Sequence, residues 1–225
     1  MHIGLIGGIG PAAQDYYTRQ LIGMFASAGR LLEMTTAHAD TPTLLHNLAA
    51  GRSADQAAIF ARLAERLAKA GADIVAVTSI AGHFCASDFA ALSPLPVVDM
   101  IETVADDIVR RGFARLGILG TRTVMESRFY GGLGAVTIIA PPEPALGHVH
   151  AAYAAMAIAG AITPSQQAVF ESAARHLVDD GGAQAIILGG TDLALAFNAD
   201  SATFAIIDCA AIHADAIARR AMAAS

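Results

Sequence analysis

The sequence has no tryptophan and only two cysteines in 225 residues. Cys85 and Cys209 share no metal-ligand spacing, and two thiols in a chain of this size make no disulfide framework. Such sparse use fits a reducing compartment, so a cytoplasmic protein is expected. Charge is also scarce. Asp, Glu, Lys and Arg make up 15% of the chain, and 14 basic residues against 20 acidic ones leave a net charge of −6. No block of Lys or Arg occurs, and phosphate binding needs a basic footprint, so nucleic acid is excluded as an expected partner. Long apolar runs are missing too. The longest tract, residues 151–162, is Ala-rich and falls short of the roughly 20 residues that span a bilayer. The first apolar run has no basic segment before it, so it reads as a strand rather than a signal peptide. No membrane partner is expected.

What the chain does have is apolar bulk, at 55% of residues. That supports a substantial core and excludes a disordered class. The length suits one large domain or two small ones. The organising stretch is Gly71-Ala-Asp-Ile-Val-Ala-Val-Thr-Ser-Ile-Ala-Gly-His83. Its apolar run, residues 74–77, is bounded by turn chemistry and reads as a strand buried on both faces. It ends near Thr78 and Ser79, where open α/β sheets bind their ligands. Gly182-Ala-Gln-Ala-Ile-Ile-Leu-Gly-Gly-Thr-Asp192 repeats the design and sets Gly190 against Ser79. Ile3-Gly-Leu-Ile-Gly-Gly8 and Leu116-Gly-Ile-Leu-Gly-Thr121 form a second matching pair. Two similar halves can share one cleft, with Ser79 and Gly190 on opposite walls.

Further strands are expected over residues 2–8, 33–38, 94–99, 116–120, 136–139 and 204–208. Helices are expected over 12–28, 54–70, 103–111, 148–159, 165–179 and 211–223, with 121–130 polar and then helical. Residues 39–43 follow the second strand, where His38 and Asp40 either contact substrate or cap the turn before Pro42. The alternation demands an α/β fold with parallel sheets and helices on both faces. The expected division is residues 1–95 plus 208–225 as one domain and 96–207 as the other. Gly7-Gly8-Ile9-Gly10-Pro11 has Gly-x-Gly spacing but lacks the third glycine of a dinucleotide fingerprint, so no nucleotide cofactor is expected.

Four segments, taken together, resemble the aspartate/glutamate racemase family. They are Gly4-Leu-Ile-Gly-Gly-Ile-Gly-Pro11, Ala72-Asp-Ile-Val-Ala-Val-Thr-Ser-Ile-Ala-Gly-His83, Thr121-Arg-Thr-Val-Met-Glu-Ser-Arg-Phe-Tyr130 and Leu188-Gly-Gly-Thr-Asp192. They stand in the family's order and cover essentially the whole chain. The resemblance implies two similar α/β domains related by a pseudo-twofold axis, an active-site cleft between them and a homodimer. It also implies cofactor-independent chemistry at the α-carbon of a small amino acid or related carboxylate. In that family two thiols serve opposite faces of the carbon, one removing and the other returning a proton. Their positions fall on Ser79 and Gly190, the carboxylate-holding Asn and Thr on Ile80 and Ala81, and a late helical basic residue on Ala159. Thr191 is kept, and Asp192 stands where aspartate racemases carry Glu.

The scaffold therefore matches while both thiol positions differ. Asp192 is the best remaining base, or else a helix cap that accepts backbone N–H bonds. Ser79 is the other catalytic candidate. Thr78 and Ser79 offer hydroxyl donors to a carboxylate, and Gly8, Thr121, Gly190 and Thr191 join them as substrate-binding candidates. His83 is either a ligand contact or a satisfied loop histidine. Cys85 and Cys209 read as buried small hydrophobes. A metal site of His38, Asp40, His83 and Asp192 has no local ligand spacing behind it, so no metal is expected. Three readings stay open: an isomerase working through an α-carbanion, a small-carboxylate binder that has lost racemase activity, and a scaffold without a ligand. Glu126, Ser127 and Tyr130 add to the cleft's polar groups and speak against the last.

Overall fold

The first strand of the computed structural model is buried from Ile3 to Gly7 without alternation, as a strand covered on both faces of a parallel sheet must be. Residues 1–8, 11–197 and 203–223 are described, except for the side chain of Pro11. The part of the expected glycine turn at Ile9 and Gly10 lies outside them. In chain order the elements begin with β1 (His2–Gly7), α1 (Pro11–Ser27), β2 (Glu33–His38), α2 (Thr41–Ala49), α3 (Ser53–Lys69), β3 (Ile74–Val77), α4 (Ala86–Leu92) and α5 (Met100–Arg111). There follow β4 (Arg115–Gly120), α6 (Arg122–Glu126), β5 (Thr137–Ile139), α7 (Ala145–Ala159), α8 (Pro164–Asp179), β6 (Ala185–Gly189), β7 (Ile206–Asp208) and α9 (Cys209–Ala223). Among the described residues, no helix is long and apolar enough to cross a membrane.

The chain forms two compact units, Met1–Thr103 with Ala210–Ser225, and Val104–Cys209. The first holds a parallel sheet in the order β2-β1-β3, the second a parallel sheet in the order β5-β4-β6-β7. Each sheet is flanked by helices, so the α/β reading holds. In the first unit α3 turns Phe60, Leu63, Ala64 and Leu67 inward, the i, i+3, i+4, i+7 stripe of a core-facing helix. These pack with Ile6, Leu44, Val75, Val77 and Phe89, and the Phe60 and Phe89 rings meet edge to face at 5.6 Å.

Three expectations are corrected. The turn over residues 39–43 is the start of a helix, α2. Asp40 caps it, its carboxylate accepting from Thr43 N at 3.0 Å. Pro42 sits in the first turn, where a missing N–H costs nothing. Residues 94–99 make only an isolated bridge, Val97 beside Val75. Pro94 and Pro96 cannot donate to a ladder, so the contact is limited to Val75 N to Pro96 O and Val98 N to Val75 O. The helix expected within 121–130 is short. Arg128, Phe129 and Tyr130 have φ of 52°, 59° and 58°, a left-handed turn pinned by the fully buried Phe129.

The first unit is tied by a buried polar chain that sequence reading did not anticipate. Tyr17 of α1 and His213 of α9 are both fully buried. His213 Nε2 lies 2.8 Å from the carbonyl of Val98 and must donate to it. Burial and the neighbouring His83 ring push the His213 pKa down to about 3, so the ring is neutral and Nδ1 accepts from Tyr17 Oη at 2.8 Å.

Removing the hydroxyl should therefore leave Nδ1 buried without a donor. Tyr17→Phe is expected to lower the unfolding free energy by about 1–3 kcal/mol. A histidine held neutral also disfavours the native state once the unfolded chain can protonate. Stability should be complete above the unfolded value of about 6.5 and fall by up to about 1.4 kcal/mol per pH unit below it, towards the folded value. Burial lowers the His83 pKa as well, adding to the same slope. Urea unfolding at a series of pH values between neutral and mildly acidic checks both points, and a flat response would overturn neutral burial.

Candidate functional site

The candidate residues gather at the carboxyl ends of the two sheets. In the first unit, β3 ends at Val77, and Thr78, Ser79 and His83 follow, all buried. Thr78 continues the sheet, its N–H donating to Ile6 O at 2.9 Å. Its hydroxyl also points at Ile6 O, at 3.3 Å, so that proton is directed to the backbone. Ser79 starts a 3-10 turn. Its carbonyl accepts from Gly82 N at 3.1 Å and from His83 Nδ1 at 2.7 Å. Burial depresses the His83 pKa, so the ring is neutral with its proton on Nδ1, and Nε2 is its acceptor. Gly8 belongs to the same group. A Cβ there would lie 2.9 Å from Leu44 Cδ1 and 3.9 Å from Ser79 Cβ, so position 8 adjoins both side chains.

In the second unit β6 ends at Gly189, paired with Gly120 of β4. Thr121 and Gly190 thus follow neighbouring strand ends. Thr121 caps α6, its hydroxyl accepting from Val124 N at 3.3 Å. Glu126 is ion-paired with Arg122 at 2.9 Å. Ser127 Oγ donates to Val124 O and accepts from Tyr130 N. These polar side chains have local structural partners. Thr191 and Asp192 are buried in the 3-10 turn after Gly190. Gly190 holds the turn's cap position and no side chain caps it, so Asp192 is not there as a cap. Its Oδ2 accepts from Tyr153 Oη at 3.1 Å. Its Oδ1 is buried with no hydrogen-bond partner among the described residues. Burial raises the Asp192 pKa against the opposing pull of the Tyr153 bond. Burial, with Asp192 beside it, raises the Tyr153 phenol well above its ordinary value.

Tyr153 is the side chain of this group that sequence reading missed. Gly190 is extended, with φ −161°, so its conformation does not require glycine. Space does: a Cβ would lie 2.2 Å from Cε2, 2.4 Å from Cζ and 2.6 Å from Oη of Tyr153. The ring fills the volume a side chain at 190 would take. The signal was present, since Tyr153 is the one Phe, Tyr or Trp in the Ala-rich helix α7.

Neither cysteine replaces the absent thiols as a reactive group. Cys85 is buried and donates to Gly82 O at 3.3 Å, and burial pushes its pKa up to about 12. Cys209 is buried too, and burial raises its pKa well above normal. Asp40 caps α2 and its pKa is lowered by Thr43. No group of three or more His, Cys, Asp or Glu gathers as a metal site among the described residues.

Comparison with known proteins bears on the family and the fold. The profile of the Asp/Glu/Hydantoin racemase family matches residues 6–217. Among solved structures, the chain is similar to a Yersinia pestis protein proposed to be an Asp/Glu racemase. The two are 29% identical, with a TM-score of 0.86, over 99% of this chain and 100% of that one. It is also similar to an aspartate racemase homologue from Pyrococcus horikoshii OT3, at 23% identity and TM-score 0.80, over 98% and 99% of the two chains. A third likeness is to glutamate racemase from Francisella tularensis in complex with D-glutamate, at 14% identity and TM-score 0.71, over 100% and 82%. At these identities the last two speak for the fold alone.

Two outcomes are expected from the site's packing. Both cysteines should resist a thiol reagent in the folded protein at mildly alkaline pH and react after denaturation. Fast labelling of the native protein would mean that an accessible thiolate exists. Gly190→Ala should cost about 1–3 kcal/mol through overpacking against Tyr153. In a Tyr153→Ala background most of that cost should vanish, which a double-mutant cycle by urea unfolding reads directly.

Proposed function

Since the chain belongs to the Asp/Glu/Hydantoin racemase family, we propose that it is a cofactor-independent proton-transfer enzyme. It acts at the carbon beside the carboxylate of a small amino acid or related acid. The observation that carries the reading is Asp192: a buried carboxyl group at the end of a central parallel strand, with raised pKa and one oxygen unpaired. A general base works best when its pKa approaches the working pH, and burial moves Asp192 in that direction. Ser79 and Gly190 cannot supply the thiol pair that serves two faces of a carbon, because a serine hydroxyl is a far weaker acid than a thiol of pKa about 8.5. The reading is therefore α-proton exchange through a carboxylate-stabilised carbanion, with inversion slower than exchange. Carboxylate contacts are proposed for each unit by itself: backbone N–H groups near Gly8 and the Ser79 hydroxyl in the first, and the Thr191 hydroxyl in the second. A cytoplasmic homodimer completes the proposal, and sedimentation should return about twice 23.0 kDa.

Proton NMR in deuterated water tests the chemistry. Small amino acids and 2-hydroxy acids should lose their α-proton signal, while chiral analysis shows little or no racemisation of free aspartate or glutamate. Rapid racemisation of either would show that two faces are served and would overturn the one-sided reading. Carboxylates, with dicarboxylates and acidic amino acids first, should also raise the melting temperature, by the equivalent of about 2.7 kcal/mol at a hundredfold excess over Kd. NAD and ATP should not. Stabilisation without any exchange would indicate a carboxylate binder rather than an enzyme.

A further inference from the structure

The glycine at 190 and the tyrosine at 153 make one unit of structure. The Tyr153 ring stands within 2.2 Å of where a Cβ at 190 would be, so the two positions cannot both carry bulk. The hydroxyl in that space is bonded to Asp192 Oδ2 at 3.1 Å. Beyond it lies Oδ1, buried and without a hydrogen-bond partner among the described residues. A buried oxygen without a protein donor is costly unless a water or a ligand supplies one. A phenol in place of a side chain at 190, joined to a carboxyl with spare capacity, has the composition of a proton relay.

We propose that Tyr153 is a catalytic residue, carrying protons between the substrate's α-carbon and Asp192 in place of a side chain at 190. This inference rests on the proton-transfer reading above. As the substrate C–H bond breaks, its electron pair stays on carbon as the carboxylate-stabilised carbanion. The proton passes to the phenol oxygen. The original hydroxyl proton of Tyr153 moves to Oδ2, turning Asp192 from carboxylate to carboxylic acid. Return runs the same path backwards: Tyr153 protonates the carbon, and Asp192 restores the proton to the phenol oxygen. One proton moves at each site, the charge passes from Asp192 to the substrate, and no oxidant or further reactant is needed. The electrostatics suit these roles. Burial raises the pKa of Asp192, which helps it hold the proton. The raised phenol pKa means that Tyr153 passes a proton on rather than resting as a phenolate.

Tyr153→Phe removes Oη and keeps the ring that fills the space beside Gly190. With alanine, serine, aspartate, glutamate and their 2-hydroxy analogues as probes, α-deuterium exchange at saturation should fall at least a hundredfold. That is the lower end of what a placed acid–base group contributes. Thermal stabilisation by the same carboxylates should stay within twofold in apparent Kd, because the group acts on the rate and not on binding. Asp192→Asn, which keeps the shape of the carboxyl, should lose exchange to a similar degree. Exchange by Tyr153→Phe within twofold of the natural protein would overturn the role of Tyr153 and leave the proposed function standing. If Tyr153→Phe is poorly folded, Asp192→Asn decides: exchange at the natural rate overturns the relay. Absence of exchange by the natural protein on every probe would overturn the relay and the proton-transfer reading together.

Discussion

A parallel strand cannot be followed directly by its neighbour. The chain has to cross over, and a helix is the shortest structure that satisfies its own backbone on the way. In both sheets the crossovers between β1 and β2, β2 and β3, β4 and β5, and β5 and β6 carry α-helices, and much of the rest follows from that. The crossover helices cover the strands, so β1 from Ile3 onward, β3 and β6 are apolar and have no polar face. Strands buried in this way can display polar groups only where they end. Thr78 and Ser79 in one unit, and Gly190, Thr191 and Asp192 in the other, are such ends. Buried polar groups sit at these positions because they are the places where the fold tolerates them.

The terminal groups differ in how they are satisfied. Most of the polar side chains near Thr121 and Ser127 are caps whose hydrogen bonds close within their own turn. Tyr17 and His213 form a closed chain ending on a backbone carbonyl. Asp192 is different, since one of its oxygens has a donor and the other has none among the described residues. A fold can hold a closed polar network for stability, whereas a half-open buried carboxyl keeps capacity for one more donor. That contrast, rather than burial or pKa alone, separates Asp192 from its polar neighbours.

Legibility in the sequence followed the range of the interaction. The strands at 2–8 and 74–77 were readable because short apolar runs of Ile, Leu and Val bounded by turn residues are a local signature. Helix α2 was not read, because Pro42 is a breaker in the interior of a helix and a good residue in its first turn, and only the Asp40 cap tells the two apart. The strand expected over 94–99 had the right apolar residues, but its two prolines reduce it to one bridge. Tyr153 and His213 were harder still. Each acts through a partner far away in sequence: Tyr153 on Asp192, 39 residues on, and His213 on Tyr17, 196 residues back.

By itself the sequence determined the fold class, the family and the residues that stand at positions 79 and 190. All three depend on residue identity, local periodicity and the order of short motifs. It marked Asp192 as a base, yet showed only a void at 190. Tertiary structure alone decided what fills that void. Whether a glycine leaves a gap or makes room depends on which side chain of another helix enters the space, and close packing is a property of three dimensions with no periodic trace along the chain. The protonation of the buried histidines was decided in the same way. Their neutral state comes from being taken out of water, and a sequence records which groups can ionise but not how much solvent reaches them.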